Sequence, residues 1–397
     1  MTTDEKYLKR PKRQTMLSFC PPDIGQEEID EVVDSLRSGW ITTGPKTVKF
    51  EQELAAYVGA KHALALNSAT AGLFLCLKAL GIGPGDEVIT TPYTFASTVN
   101  VILHAGAKPV LADVKKDDFN IDPDRIAQAI TSKTRAIIPV HYAGRSCDMD
   151  RIGALAQKHN LTVIEDAAHA IGTEYRGKKT GSISRFTVFS FHAVKNVTTG
   201  EGGAITTGDT AMAESLRVLS LHGMNKDAWR RYAPGAKVKY DILQPGYKYN
   251  MMDIQAALGI HQLRKVERTL EKRKAIAARY RAGLSDIPEL TLPEDAPDGR
   301  HGRHLYPVLL DLEKLTVSRD QAMELLQREN ISSNIHYQPV HLFSYYRENL
   351  GFKPGDFPVA EWLSERELTL PFYNRMTEED VDDVIAAVRR VITENRT

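Results

Sequence analysis

The sequence predicts an α/β protein built on a mainly parallel sheet, and three observations predict it. Short apolar runs recur between residues 62 and 208, helical periods separate most of them, and the runs are apolar at consecutive positions. Such runs belong to strands covered on both faces, as in a sheet with helices above and below it. Ahead of the sheet, Ile29, Val32, Val33 and Leu36 recur at helical spacing. HALALN (62–67) then reads as a strand and SATAGLFLCLKAL (68–80) as a helix. EVITT (87–91), KPVLADV (108–114), TRAIIPVHY (134–142), LTVIEDA (161–167), FTVFSFH (186–192) and GGAITTG (202–208) are further strands. TFASTVNVILHAG and MDRIGALAQKHN are helices between them.

A chain of 397 residues exceeds one ordinary core, so a second domain is expected. A long helical period covers 253–283, and the Pro-rich stretch IPELTLPEDAPDG follows it. The remainder mixes strands (HLYPVLLD, ISSNIHY, ELTLPF) with helices (SRDQAMELLQREN and the closing TEEDVDDVIAAVRRVITENR). The expected organisation is a flexible basic tail over 1–15, a large α/β domain over 16–252, a connecting helix over 253–283 and a smaller α+β domain over 284–397.

Composition excludes several classes of function. Apolar residues make up 42% and charged residues 26%, as in globular proteins, and 51 basic residues balance 51 acidic ones. No long-range field therefore favours nucleic acid or an anionic membrane as partner, and no apolar stretch is long enough to span a bilayer. The five basic residues between Lys6 and Arg13 lack an apolar run behind them, so they read as a solvated tail and not as a secretory signal. Cys20, Cys76 and Cys147 fit no metal spacing, and their odd number suggests reduced thiols in the cytoplasm. No metal site is expected.

Ligands of an open α/β sheet bind beyond the carboxyl ends of its strands. Four segments fall at such places. In NSATAGL (67–73) the small residues Ser68, Ala69 and Thr70 open a helix whose free N–H groups suit a phosphate, although taken alone an ordinary N-cap is the commoner use of such residues. In TVIEDAAHA (162–170), Asp166 ends an apolar run, where an ionised carboxylate is costly without a cation. A pyridinium nitrogen would serve, and pyridoxal phosphate (PLP) needs such a carboxylate to act as an electron sink. His169 follows three residues on and reaches the same ring, or else is a structural histidine below a capping Asp166. In FSFHAVKNVTTGEGGA (189–204), Lys195 stands between an apolar strand and a Gly-rich turn. A desolvated lysine there becomes a nucleophile toward aldehydes, whereas the bland alternative is a snorkelling loop lysine. Ser190 adds a hydroxyl to the phosphate site. In PYTFASTVN (92–100), Phe95 either covers a planar cofactor or belongs to the core.

With these residues in view, the sequence resembles the sugar aminotransferases of the DegT/DnrJ/StrS type, PLP enzymes of fold type I. The resemblance runs from SGWITTGPKTVKFE (38–51) to the C-terminal helix and includes EDAAHA, SFHAVKN, GEGGA and GYKYNMMD in order. It implies that Lys195 carries PLP as a Schiff base and shuttles the proton, and that Asp166 pairs with the ring nitrogen. It implies further that His169 lies near the phenolic oxygen, that Ser190 and the Ser68–Ala69–Thr70 turn hold the phosphate, and that Phe95 stacks on the ring. Asn250 of GYKYN matches the asparagine that reaches the phosphate of the neighbouring subunit, which implies a homodimer with shared active sites. The implied reaction moves an amino group from L-glutamate to a nucleotide-linked keto sugar. AIIPVHYAGRSCDMDRI (136–152) resembles the subgroup acting on UDP-linked 4-keto sugars, including the pentose used in lipid A and so in lipopolysaccharide. By analogy Thr42, Thr43, His192, Arg230 and His336 meet the substrate, and the charged loop 223–240 takes part in setting stereochemistry.

Three rivals remain. Relatives that retain the lysine act on cyclitol ketones, or on 3-keto nucleotide sugars. A non-catalytic PLP-fold binding protein is the second rival. The third, an NAD-dependent oxidoreductase, lacks a G-x-G-x-x-G after a strand, and GEGG (200–203) suits a hairpin-like turn better than a nucleotide loop.

Overall fold

The structure, a computed structural model, describes residues 3–225 and 240–397. Nine strands precede residue 208: β1 (His62–Leu66), β2 (Glu87–Thr90), β3 (Lys108–Leu111), β4 (Thr134–Ile138), β5 (Thr162–Asp166), β6 (Glu174–Tyr175), β7 (Lys178–Lys179), β8 (Phe186–Ser190) and β9 (Gly203–Thr207). Seven of them form the main sheet in the order β1-β9-β8-β5-β4-β2-β3. β9 runs against both of its neighbours, β1 and β8, while the remaining pairs are parallel. All seven predicted strands are present, and the antiparallel β8–β9 pair puts the GEGG glycines in a hairpin-type connection.

Both faces of the sheet are covered, which is why its strands read as unbroken apolar runs. Successive strand residues point to opposite faces. Val188 packs with Leu66, Leu73, Leu77 and Ile205 under the helix Ala69–Ala79, whereas Phe189 packs with Phe50, Leu54 and Ile260 on the other side. Each such fully buried side chain contributes roughly 1.5–3 kcal/mol. Of the stripe Ile29, Val32, Val33 and Leu36, the helix Gln26–Ser38 leaves Ile29 and Leu36 exposed. It buries Glu28 instead, whose carboxylate accepts from Lys265 Nζ at 2.6 and 2.7 Å.

The predicted connecting helix is two helices, Asp253–Arg264 and Val266–Leu284, broken at Lys265. The second packs with the closing helix Glu378–Glu394 over an antiparallel sheet of β10 (Leu290–Thr291), β12 (Tyr306–Leu310) and β13 (Glu367–Leu370). Tyr280, Val308, Leu310, Ile385 and Val388 centre that core. The two-residue strand β11 (Gly299–Arg300) leaves this region and pairs with β6 of the large domain.

Two expectations are corrected here. Residues 3–15 do not form a solvated tail. The helix Thr3–Leu8 lies on the acidic closing helix, Tyr7 is buried in the small core, and Arg13 pairs with Asp380 and Asp383 at 2.7 and 2.8 Å. A basic segment finds its partner in the acidic first turns of that helix. ISSNIHY is not a strand either: its ladder pairing is limited to isolated bridges at Ile331 and Asn334. The same irregular segment carries Asn334, Ile335, His336 and Tyr337 into the principal cavity.

Candidate active site

The carboxyl ends of β1, β2, β5 and β8 lie on one edge of the sheet, so the loops that follow them converge. Between that edge and segment 334–337 lies a cavity of about 480 Å³. Ser68, Ala69, Thr70, Phe95, Asp166, His169, Ser190, His192, Lys195 and His336 all line it. Thr42, Thr43 and Asn250 do not. Asn250 Nδ2 donates to Thr43 Oγ1 at 2.6 Å, the Thr43 hydroxyl donates to the Met251 carbonyl at 2.5 Å, and Thr42 accepts from the backbone of Asp253. Arg230 lies outside the described residues.

Lys195 is half-buried, and burial lowers its pKa to about 8 even though Asp166 and Cys20 favour the charged form. Its Nζ is 3.4 Å from His304 Nε2. Asp166 is buried at the end of β5. Its Oδ2 accepts from Thr98 Oγ1 at 2.8 Å and its Oδ1 from the Ala168 backbone at 3.2 Å. Burial still pushes its carboxyl above the usual range, because the hydrogen bonds and the more distant charges do not offset desolvation. His169 is buried and held neutral by burial, with the positive field of Lys195 adding to the effect. Its Nε2 shares a hydrogen bond with Tyr337 Oη at 3.1 Å, and among the described residues its buried Nδ1 has no partner. Phe95 is 65% exposed, so it is not a core residue and its ring faces the cavity. Ser68 caps the helix Ala69–Ala79 by accepting from the Ala71 N–H at 3.1 Å, while helix geometry leaves the first-turn N–H groups of Ala69 and Thr70 without helical acceptors.

Sequence reasoning missed four residues of this site. Thr98 steadies Asp166, Tyr337 holds His169, and His304 with its neighbour Asn196 holds Lys195. His304 is 109 positions from Lys195 and lies past the Pro-rich break, so no spacing ties the two.

The DegT/DnrJ/EryC1/StrS aminotransferase family model matches residues 22–389. The chain belongs to this family. It is 51% identical over 382 residues to the spore coat polysaccharide biosynthesis protein SpsC of Bacillus subtilis, covering 96% of this chain and 98% of SpsC. An uncharacterized protein of Methanocaldococcus jannaschii is 50% identical over 384 residues, covering 97% of this chain and all of that one. Among solved structures, a Streptococcus pneumoniae protein provisionally assigned as a sugar aminotransferase, in its PMP form, superposes with a TM-score of 0.89 at 40% identity, covering 96% of this chain and 98% of that one. Helicobacter pylori PseC, an aminotransferase involved in pseudoaminic acid biosynthesis, gives 0.89 at 31% identity, covering 96% of this chain and 100% of that one.

The protein is thus a PLP-dependent sugar aminotransferase of this family, and its cavity fits the cofactor. A buried carboxyl whose hydrogen-bond donors among the described residues are the neutral Thr98 hydroxyl and Ala168 N–H suits a pyridinium nitrogen, and the orphaned Nδ1 of His169 suits a polar group of the ring. The phosphate fits the N-terminus of Ala69–Ala79, whose first turn rests on Gly203 of β9. A Cβ at Gly203 would lie 2.4 Å from Ala69 N and from the Ser68 carbonyl carbon, both backbone atoms that cannot step aside. Gly203→Ala is therefore expected to cost about 1–3 kcal/mol of stability by overpacking. It should also weaken PLP retention in the aminotransferase, as read by urea unfolding and by absorbance titration.

Below the cavity, the His336 N–H donates to Glu367 Oε2 at 2.7 Å, and burial lifts the Glu367 carboxyl to about 8. Its folded pKa lies above the ordinary 4.5, so its stabilising contribution is complete below that value and is lost as pH rises through about 8. Glu367→Gln, permanently neutral, should gain in melting temperature relative to the parent as pH rises from 4.5 to about 8, with the difference levelling off above that. A difference that stays constant across that range contradicts this.

Proposed function

We propose that the protein moves an amino group from L-glutamate to a nucleotide-linked keto sugar, with a UDP-linked 4-keto hexose or pentose as the first candidate. The reading is carried by one observation: the half-buried Lys195 amine, with its pKa near 8, lines the same cavity as the uncompensated Asp166 carboxyl. Bound PLP supplies an electron sink for the charge left when a proton leaves the amino carbon. Lys195 is the residue that holds the cofactor and, when released, the neutral base whose Nζ takes that proton and returns it. Asp166 holds the ring nitrogen in its charged form. Ser190 and the Ser68–Ala69–Thr70 turn hold the phosphate, Phe95 covers one ring face and excludes water there, and His169 orients the ring edge.

Asn250 is turned away from its own cavity, which supports the reading that it serves the neighbouring subunit of a homodimer. His192 and His336 present ring nitrogens for sugar hydroxyls. Thr42 and Thr43 fit a substrate role only across such a dimer, and Arg230 remains a candidate for the diphosphate. The names of SpsC and PseC, which concern a polysaccharide and a sugar acid, support an amino sugar of a surface glycan as product, with lipopolysaccharide as one destination. Three unpaired cysteines agree with a cytoplasmic setting.

The test is a glutamate-dependent assay on a panel of ketones. Turnover of a UDP-linked 4-keto sugar supports the assignment. Turnover of an inosose alone would move it to cyclitols, and a donor other than glutamate would overturn the first half-reaction.

A further inference from the structure

We propose that His304 is the positioning residue for Lys195, a fixed hydrogen-bond acceptor that seats the amine whenever it is not joined to the cofactor. The inference rests on the reading of Lys195 as the cofactor lysine.

The argument begins at Asn196. Its Nδ2 donates to the Gly302 carbonyl at 2.7 Å, which turns Oδ1 toward His304 Nδ1, 3.3 Å away. An amide oxygen only accepts, so Nδ1 carries the hydrogen. His304 is buried, and the neighbouring positive field of Lys195 also opposes a second proton, so its ring is neutral. Nε2 is then a bare lone pair, 3.4 Å from Lys195 Nζ.

The consequence is directional. Of the two partners only the lysine has a hydrogen to give, so Nζ donates and Nε2 accepts, whether Lys195 is an amine or an ammonium. When Nζ takes up a proton, one N–H bond points at Nε2 while the others stay free for the cavity. The proton remains on Nζ for return, since the imidazole does not take it. The remaining groups around the pair fit this role. His169 lies with its ring 4.4 Å from that of His304 and is itself neutral. His336 is held at a pKa of about 3 by burial and by Lys195. Arg273 is turned away, donating to the carbonyls of Arg303, His304 and Phe372 and to Asn374 Oδ1. Among the described residues Lys195 thus faces neutral imidazoles and two acids, Asp166 and Cys20, and burial pushes the Cys20 thiol up.

An acceptor that bonds an ammonium raises its pKa, so removing it lowers the pKa. The test is the pH dependence of PLP capture by apoprotein, followed by absorbance, which reports the neutral fraction of Lys195 without turnover. In His304→Phe, which keeps a ring and loses the acceptor, the capture midpoint should fall by about one pH unit, a tenfold change in ionisation. On the loaded enzyme the same variant should lower kcat with KM little changed. His304→Gln restores an acceptor and should return the midpoint toward the parent value. A parent-like midpoint in the Phe variant, or a Gln variant that behaves like Phe, overturns the inference. Should the Phe variant not fold, nitrogen NMR of the parent decides. A signal assigned through His304→Gln must show a protonated Nδ1 and a bare Nε2, and the opposite tautomer sinks the proposal. Borohydride fixing of the cofactor to a residue other than Lys195 would be the separate failure of the underlying reading.

Discussion

Lys195→Ala is expected to lower transamination by at least about 10⁴-fold, since one substitution removes both the group that holds the cofactor and the proton carrier. Borohydride treatment should then leave no cofactor on the chain. Loss of folding is not the expected cause. Because the folded pKa of Lys195 lies near 8, below the ordinary lysine value, the fold disfavours its charged form. That penalty grows as pH falls from the unfolded value toward about 8 and is fully present below it. Alanine carries no such penalty, so the variant should melt no lower than the parent at neutral pH. The same shift sets the pH response of the parent. Only the neutral amine attacks an aldehyde, so capture of PLP by apoprotein should rise about tenfold per pH unit below 8 and level off above it. A midpoint near the ordinary lysine value would show that the amine faces water.

How much of this was legible in the sequence depends on how local the signal is. Strands buried on both faces leave continuous apolar runs, and all seven strands of the main sheet stand where those runs stand. Asp166, Ser190 and the Ser68 turn are legible for the same reason, because residues that end such strands fall on one edge. Segment 331–337 alternates like a strand and is none, since it is shaped by the cavity it borders and bridges β13 by backbone at Asn334, meeting it otherwise through His336 against the Glu367 and Thr369 side chains. The basic N-terminal segment looks solvated because its acidic partners lie more than 360 positions away in the chain. His304, Asn196 and Tyr337 meet Lys195, Gly302 and His169 only through the docking of the small domain. Isolated histidines and tyrosines leave no periodic trace of such contacts. Phe95 could have been core by its residue type, and only its exposure places it at the cavity.

Asp166→Asn should leave a folded aminotransferase that still carries PLP on Lys195 but turns over about 10² to 10⁴ times more slowly. Removing one partner of a buried ion pair costs ~3–5 kcal/mol, and each 1.4 kcal/mol is a factor of ten. The side chain alone, without its ring partner, gains nothing from ionisation, because burial raises its pKa against Thr98 and Ala168. Asparagine keeps the shape and the hydrogen bond from Thr98 and relieves that burial cost, but its Nδ2 faces the Ala168 N–H and loses that bond, so the stability of the apoprotein should stay near that of the parent. What it cannot do is keep a proton on the ring nitrogen, and without that proton the ring withdraws electrons poorly. The two effects separate with a PLP analogue methylated at the ring nitrogen, whose charge is permanent. If the acid acts by holding charge on the ring, the analogue should recover much of the lost kcat in Asp166→Asn and little in Lys195→Ala. If Asp166 were only a cap on the turn that follows β5, the analogue would rescue neither variant, and the loss would appear as a lower melting temperature instead.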